Sequence, residues 1–510
     1  MYTSNSESVQ NFYARRRLTD EKLHLKHVSE SFVYKELCNL KTNKSTGLDC
    51  IPAKFLKDAA SIIKIHITYL INLSISESTV PQEFKVAKVK PLFKKKDRLQ
   101  AENYRPVSIL CIVSKILEKA IYKQVEKYLL QNNLLYEFQS GFRSAHSTDT
   151  CLIHLTDYVK TQTANGLFTG MVLLDLQKAF DTVNHEVLLN KLSLIGIEST
   201  EWFKSYLFNR SQIVSVNNEN SNMCQITCGV PQGSLLGPLL FLIYSNDLSC
   251  SIDSDCKVLL YADDTAIIYS HKDPIVISEK LSNVMKSCQD WLIDNKLSLH
   301  VGKTECILFG SKRKLNSSEN LFNVTCNNQT IKRQDCVKYL GIQLDKTLSG
   351  EFIVNDIVKK ANQRLKFLYR NQKCLSKSAR KTLCVSLIQC YIDYACSSWY
   401  ENLTRKCKLK LQIIQNKMVR FILKLDSRQR VNFKELEMVG FLNIENRVKQ
   451  LELNHAFNIF NSVAPVYMKN NFVIKDSNST RSGSQNFKIP QIKSVEKTTF
   501  YFNTRLPDSI

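Results

Sequence analysis

The stretch KVLLYADDTAIIYS, residues 257–270, places two adjacent aspartates, Asp263 and Asp264, inside an otherwise almost wholly apolar run. The β-prone residues on either side predict a hairpin with Ala262, Asp263 and Asp264 at its turn. Aspartate favours turns for local hydrogen-bonding reasons, so the pair alone implies no chemistry. A second stretch changes that reading. In GMVLLDLQKAFDTVNHEVLLNKL, residues 170–192, a strand-like apolar run ends at Asp175 and gives way to helical spacing from Val187 through Lys191 and Leu192. A carboxylate at a strand end lies where ligand sites on open sheets commonly form. Three carboxylates brought together would repel one another and some would take up protons, unless cations were bound. Two divalent ions roughly 3.5–4 Å apart would offset the charge and clamp the attacking and leaving oxygens of a phosphoryl transfer. Hard oxygen donors suit magnesium, with nucleotide phosphates completing its coordination.

Composition agrees with such a substrate. The chain has 510 residues, 44% of them hydrophobic, enough for two to four domains. Seventy Lys and Arg face 47 Asp and Glu, a net charge of +23 that points to nucleic acid as partner; a basic protein that merely stays soluble is the alternative. The seventeen cysteines are scattered and form no C-x-x-C pair, so the chain reads as reduced and intracellular, with Cys224 and Cys228 expected to fill hydrophobic space. SIIKIHITYLINLSIS, residues 61–76, is interrupted by Lys64 and His66 and is predicted to be an amphipathic helix; no membrane span is expected.

Along the chain, residues 1–35 are polar and basic and are expected to be an arm or truncated linker. Residues 36–130 alternate helical patterns with basic loops such as KVKPLFKKKDRLQAENYRPVS, residues 88–108. From 170 to 345, short apolar runs bounded by Gly, Pro and Asp predict a sheet with covering helices. Beyond 350 the spacing is helical, through Ile353, Ile357 and Ala361, then Leu383 and Leu387, then Leu411, Ile414, Met418 and Ile422. Lys406, Lys408, Lys410, Lys417 and Arg420 surround the last stripe, as either a solvated basic face or one that meets nucleic acid. Residues 427–465 continue helical, and KDSNSTRSGSQ, residues 475–485, reads as a flexible polar segment.

LLDLQKAFD (173–181), GVPQGSLLGPLLFLIYSNDL (229–248) and YADD (261–264) resemble the palm motifs of reverse transcriptases, in the order that family has them. Five further segments are similar to the enzymes of non-LTR, jockey-like (LINE-type) retrotransposons: STGLDCIPAKFLK (45–57), PLFKKKDRLQAENYRPVSILCIVSKILEK (91–119), QSGFRSAHSTD (139–149), NKLSLHVGKTECILF (295–309) and VKYLGIQLD (337–345). The resemblance runs from about residue 30 to 425 and implies an α/β right-hand polymerase. Fingers and an N-terminal extension would occupy 36–165, the reverse transcriptase domain with its antiparallel palm sheet 72–345, a helical thumb 346–425 and a helical C-terminal region 426–510.

It further implies that Asp175 and Asp263 bind both metals, with Asp264 the accessory acid. Phe180 would lie under the sugar of the incoming nucleotide and exclude a 2′-hydroxyl; by itself it reads as a core Phe on an amphipathic helix. Gln232 and Gly233 would lie against the nucleotide and template base, glycine permitting close backbone approach, though by themselves they read as a turn. Pro238 suits a first helical turn. Arg105 would grip the triphosphate, a task for a planar, multidonor side chain. Lys94, Lys95, Lys96 and Arg143 would track backbone phosphates, as would Lys417 and Arg420. Lys303 would protonate departing pyrophosphate, and Tyr339, Leu340 and Gly341 would form the primer-grip hairpin; otherwise these are a solvated lysine and an ordinary hairpin.

The implied reaction is RNA-directed DNA synthesis with two magnesium ions, manganese being a substitute. Its partners are an RNA template, a DNA primer or nicked target DNA, and deoxynucleoside triphosphates, in the nucleus with a cytoplasmic ribonucleoprotein stage. The alternative is a nucleic-acid-binding protein descended from such an enzyme that has lost polymerisation. An RNA-synthesising palm polymerase or intron maturase is disfavoured by Phe180. No stretch before residue 30 can hold the endonuclease of full-length relatives, which leads us to expect a truncated copy, a fragment or a derived host gene. There is no ribonuclease H signature or zinc knuckle, and the tail FNTRLPDSI lacks the tryptophan that relatives often place before Leu-Pro.

Overall fold

A computed structural model describes residues 21–461 apart from Lys96 and Asn218, together with Tyr13, residues 463–469 and the short pairs 473–474 and 487–488. Most of the arm expected over 1–35, the polar segment 475–485 and the tail fall outside the described residues. The longer strands and their outliers are, in chain order, β1 (Val86–Phe93), β2 (Tyr104–Ile109), β3 (Phe168–Leu174), β4 (Arg210–Val216), β5 (Glu219–Asn220), β6 (Cys224–Ile226), β7 (Lys257–Tyr261), β8 (Asp264–His271) and β9 (Glu305–Phe309). The chain divides into two compact units: Met1–Phe142, Asp175–Asp253 and Lys286–His300 form one, and Arg143–Leu174, Ser254–Met285 and Val301–Ile510 the other. Both gather non-contiguous segments, so no single cut in the sequence separates them.

In the first unit the sheet runs β2-β1-β4-β5, with β6 also on β4. β1 pairs antiparallel with β2, placing Leu92 opposite Arg105, and parallel with β4. The helix Leu236–Ser245, LGPLLFLIYS, is apolar on every side and is accordingly buried nearly all round. A second interior feature is ionic. The Lys191 ammonium, 5% exposed, donates to the Tyr244 carbonyl and to Asp247 Oδ1, both at 2.6 Å, and Trp291 Nε1 donates to the other Asp247 oxygen at 3.3 Å. Such a buried pair is tolerated because its remaining donors and acceptors are satisfied. Residues from Leu23 onward, expected as part of an arm, are tied to this unit: Leu23 N–H donates to the Gly196 carbonyl at 2.8 Å and Lys26 N–H to Gln124 Oε1 at 2.7 Å. The predicted helix over 61–76 is present as Ala60–Ser76.

In the second unit the sheet order is Lys332–Arg333, β9, β3, β8, β7. Its middle strand β3, FTGMVLL, is buried at every residue but Leu173, as its unbroken apolar run requires. Gly170 lets a helix lie close: a Cβ there would sit 2.4 Å from Ile277 Cγ2. Beyond the sheet, Glu351–Arg370 and Arg405–Leu423 pack together. The predicted stripes are the buried ones, Ile353, Ile357 and Ala361 on one helix and Leu411, Ile414, Met418 and Ile422 on the other.

Two rungs seven residues apart fix their register, Lys410 Nζ to Asn355 Oδ1 and Lys417 Nζ to Asn362 Oδ1, each 2.9 Å. Arg380, 5% exposed, spends its guanidinium on carbonyls, donating to Ile422 (2.9 and 2.7 Å) and Leu375 (2.6 Å). The expected stripe through Leu383 and Leu387 is displaced by one position. Cys384, Ile388 and Gln389 are the buried residues there, Leu383 and Leu387 being half-buried, and a π-helical turn spans Val385–Gln389. Among the described residues no helix is long and apolar enough to cross a membrane.

Candidate functional site

Within the first unit the loop Val230–Leu235 is held by groups from several elements. Ser108 N–H, on β2, donates to the Gln232 carbonyl at 2.7 Å, and Val230 N–H donates to the Phe180 carbonyl at 2.8 Å. Gln232 Nε2 donates to Asp181 Oδ1 at 2.8 Å. Gly233 has φ 131°, and a Cβ there would fall 2.2 Å from the Ser108 carbonyl oxygen, so glycine is obligatory for this approach. Gly229, at φ 86°, similarly abuts the Asp181 backbone, where a Cβ would meet the carbonyl oxygen at 2.6 Å.

Phe180 lies in the turn after β3 and not on a helix, contrary to the simplest reading of its spacing. Its half-buried ring stacks on Phe241 (centroids 4.4 Å, planes 28° apart) and meets Phe142 edge-on at 6.0 Å. The neighbouring Asp181 is half-buried; burial pushes its carboxyl up from the usual range, opposed by the Gln232 bond and the charges of Lys178 and Lys94. Asp181 was not singled out from sequence, although it sits beside Phe180 in KAFD. Arg105 is exposed on β2, three residues before Ser108. Lys94 and Lys95 are exposed just past the end of β1, Lys94 N–H donating to the Asn103 carbonyl at 2.8 Å; Lys96 lies outside the described residues. Asp175, half-buried, directly follows β3, and its carbonyl accepts from His300 N–H at 2.8 Å.

The second unit carries the Asp263–Asp264 hairpin. Tyr261 pairs with Asp264, so the turn is Ala262–Asp263 and Asp264 opens β8, one residue outside the turn predicted for it. Ala262 takes the left-handed backbone, φ 58°, as a two-residue hairpin turn demands. Ala262 is buried while both aspartates are exposed. Lys303 ends a 3₁₀ turn, Val301–Lys303, and is exposed. Arg143 is half-buried, and its charge adds to burial in holding the His146 imidazole down at about 4.

Cys336–Tyr339 and Ile342–Asp345 form the predicted hairpin, with Leu340 (φ 43°) and Gly341 (φ 89°) at its tip. Tyr339 is buried, its hydroxyl 3.6 Å from Cys151 Sγ. Tyr394, unmarked in the sequence, donates its hydroxyl to the Leu340 carbonyl at 2.6 Å. Lys417 and Arg420 are half-buried and engaged with this unit, Lys417 on Asn362 and Arg420 Nε on the Gln429 carbonyl at 2.8 Å. Cys224 and Cys228 are both exposed, correcting the expectation that they fill hydrophobic space, because β6 and the residues after it lie at the unit's surface.

The structure thus brings Phe180, Gln232 and Gly233 together, sets Asp263 and Asp264 side by side, and gathers Tyr339, Leu340 and Gly341 in one hairpin. Among the described residues no three His, Cys, Asp or Glu side chains group closely enough to hold a metal ion. By donor chemistry alone, Asp175, Asp263 and Asp264 are hard-oxygen carboxylates of the kind a divalent cation takes, two exposed and one half-buried.

A family model for reverse transcriptase (RNA-dependent DNA polymerase) matches residues 93–344, which include these groups from Phe180 to Gly341. The chain carries a reverse transcriptase domain. A probable RNA-directed DNA polymerase from transposon BS of Drosophila melanogaster is 26% identical over 416 residues, covering 78% of this chain and 45% of that protein. The corresponding X-element protein is 26% identical over 388 residues, 74% of this chain and 42% of that one. The RNA-directed DNA polymerase from mobile element jockey of Drosophila funebris is 26% identical over 324 residues, 62% and 35% respectively. The chain therefore spans less than half the length of these curated relatives. Reverse transcriptases as a family use divalent metal ions.

Proposed function

We propose that this chain is an RNA-directed DNA polymerase of the non-LTR retrotransposon type, joining deoxynucleotides to a DNA 3′ end on an RNA template. The observation that carries the reading is the loop at Gln232–Gly233, hydrogen-bonded to Ser108 on β2 and to Asp181 beside Phe180, three residues from the exposed Arg105. This supports the reading because Gln232, Gly233, Arg105 and the Phe180 ring belong to one unit. Phe180 supports the sugar and fills the space of a 2′-hydroxyl, Gln232 and the Gly233 backbone face the base pair, and Arg105 grips the triphosphate. Lys303 supplies a proton to departing pyrophosphate. Tyr339, Leu340 and Gly341 hold the primer end, and Lys94, Lys95, Lys96 and Arg143 track phosphates.

Asp175, Asp263 and Asp264 would hold the divalent metals, magnesium or, in substitution, manganese. When bound, the metals orient and polarise the reacting oxygens. In this reading the β9-β3-β8-β7 sheet is the palm, the β2-β1-β4 sheet belongs to the fingers, and the helices from Glu351 to Leu423 are the thumb. RNA template, DNA primer or nicked target DNA, and a nuclear site of action belong to the same proposal. Primer extension on an RNA template with deoxynucleotides and magnesium tests it. We expect full-length DNA product; a protein that binds the RNA–DNA hybrid but extends nothing would instead be a binding protein.

A further inference from the structure

Glu118, in the helix Ile112–Gln131, is 2% exposed, yet both its carboxylate oxygens are in use. Oε1 accepts from the Tyr206 hydroxyl at 2.7 Å and Oε2 from Leu235 N–H at 2.6 Å. Arg210, 1% exposed, lies over the Tyr206 ring, 4.8 Å from its centroid, and donates Nη1 to the Tyr206 carbonyl at 2.9 Å. Burial pushes the Glu118 carboxyl up; the two hydrogen bonds, Arg210 and Lys115 act in the opposite direction.

Leu235 closes the sequence Gln232–Gly233–Ser234–Leu235 and is the cap residue of the helix Leu236–Ser245. Backbone N–H groups at a helix start have no partner inside the helix, and a carboxylate is favoured there by charge as well as by geometry. Glu118 therefore acts as a cap delivered from a different helix. Inside the loop, Ser234 Oγ donates to the Pro231 carbonyl (3.0 Å) and accepts from Gly237 N–H (2.8 Å), making the segment a stiff link. Its other end is fixed by Ser108 and Asp181. We propose that Glu118 is a positioning residue for the nucleotide-facing loop: through Leu235 N–H it sets where Gln232 and Gly233 stand against β2. This rests on the nucleotide-facing reading of Gln232 and Gly233.

The test uses the full chain in two arms. In the first, hydrogen exchange of the backbone amides of residues 230–237 is followed by mass spectrometry, with no activity required. E118A should exchange there about tenfold faster or more. E118Q should restore protection, since its amide oxygen can still accept from Leu235 N–H while its NH₂ donates to the Tyr206 hydroxyl. If E118A does not fold, Leu235→Pro deletes the donor at a residue whose φ of −82° is close to proline's own, and Gly233 and Ser234 should lose protection. Unchanged exchange in whichever of E118A and Leu235→Pro folds overturns the proposal.

In the second arm, E118A should raise the KM for deoxynucleotides about tenfold to a hundredfold with a smaller change in kcat, whereas E118Q should stay near wild type. A lowered melting temperature with an unchanged KM would make Glu118 merely structural. A wild-type protein that extends no primer sinks the polymerase reading, and the exchange arm still decides the role of Glu118.

Discussion

The loop at 230–235 and the hairpin at 261–264 contrast in how they are held. The loop is fastened by side chains and backbone from β2, from the turn at Phe180 and from a buried acid, and one added methyl group at Gly233 would collide with the Ser108 carbonyl. The hairpin is built by the β7–β8 ladder and by one left-handed residue, Ala262, with two exposed acids at and beside its turn. Under the proposed function the loop would recognise a neutral, shaped object such as a base pair or sugar, a task that calls for preorganised contacts. Under the proposed function, exposed carboxylates leave their oxygens accessible to a cation and to the waters it keeps.

The largest effect should come from the exposed acids. Asp263→Ala is expected to reduce extension on the order of a thousandfold or more, while the melting temperature stays within a degree or two, because an exposed side chain is removed. Asp175→Ala and Asp264→Ala should also be severe. Near-normal extension by Asp263→Ala would break the metal assignment and with it the contrast.

Gly233→Ala should show the opposite signature. Strain at φ 131° and the clash with Ser108 are expected to lower both melting temperature and kcat/KM, the latter about a hundredfold. Equal loss of stability in Gly233→Ala and Asp263→Ala would erase the distinction between the two regions.

Phe180→Val sharpens it further. Losing the stack on Phe241 should cost about 1–3 kcal/mol in thermal or denaturant melts, and the specificity-constant ratio of ribo- to deoxynucleotide should rise. A destabilised variant with an unchanged ratio would make Phe180 a packing residue alone.

Salt dependence comes next. Neutralising Lys94 and Lys95 should each lower the slope of log affinity for RNA–DNA hybrid against log salt by about one. Lys417→Ala, whose ammonium already serves Asn362, should change the slope by less. Titrations across a salt series measure both.

The smallest effect concerns Asp181. Its folded-state pKa is raised above the usual 3.8, chiefly by burial, so between those two values the folded protein binds more protons than the unfolded one and stability falls as pH rises. Asp181→Asn should therefore melt slightly higher than wild type at neutral pH, with the gap closing below the unfolded value. A lower melting temperature for the variant at neutral pH would reverse the sign.

Sequence reading succeeded where a local rule sufficed. YADD between β-prone runs gave a hairpin because short turns and alternating strands are encoded within a few residues, though the ladder extends one residue further, to Tyr261–Asp264. The stripes on Glu351–Arg370 and Arg405–Leu423 were legible for the same reason. The Leu383–Leu387 stripe missed by one position because Cys384 and Ile388 keep the same four-residue step, so spacing alone does not tell which of the two rows is buried. The Gln232–Asp181 bond joins residues 51 positions apart, and Tyr394 reaches Leu340 across 54, distances at which no spacing rule operates. The partners of Lys417 and Arg420, Asn362 and the Gln429 carbonyl, come from outside their own helix, where no spacing rule shows them. Burial misled at Cys224 and Cys228, which sit on a surface edge.

The strand at the centre of the second unit's sheet has a consequence for the protein's birth on the ribosome. β3 emerges early, but its neighbours come much later: Gly170 pairs with Tyr269 on one side and Leu308 on the other. At synthesis rates of about 5–20 residues per second, the first partner is some five to twenty seconds behind. Throughout that interval FTGMVLL, an uncharged β-prone segment, has two open edges, the kind of segment that pairs with copies of itself. Slow stretches of translation between residues 175 and 264 would prolong the exposure, and a chaperone that shields extended apolar segments would be most needed there.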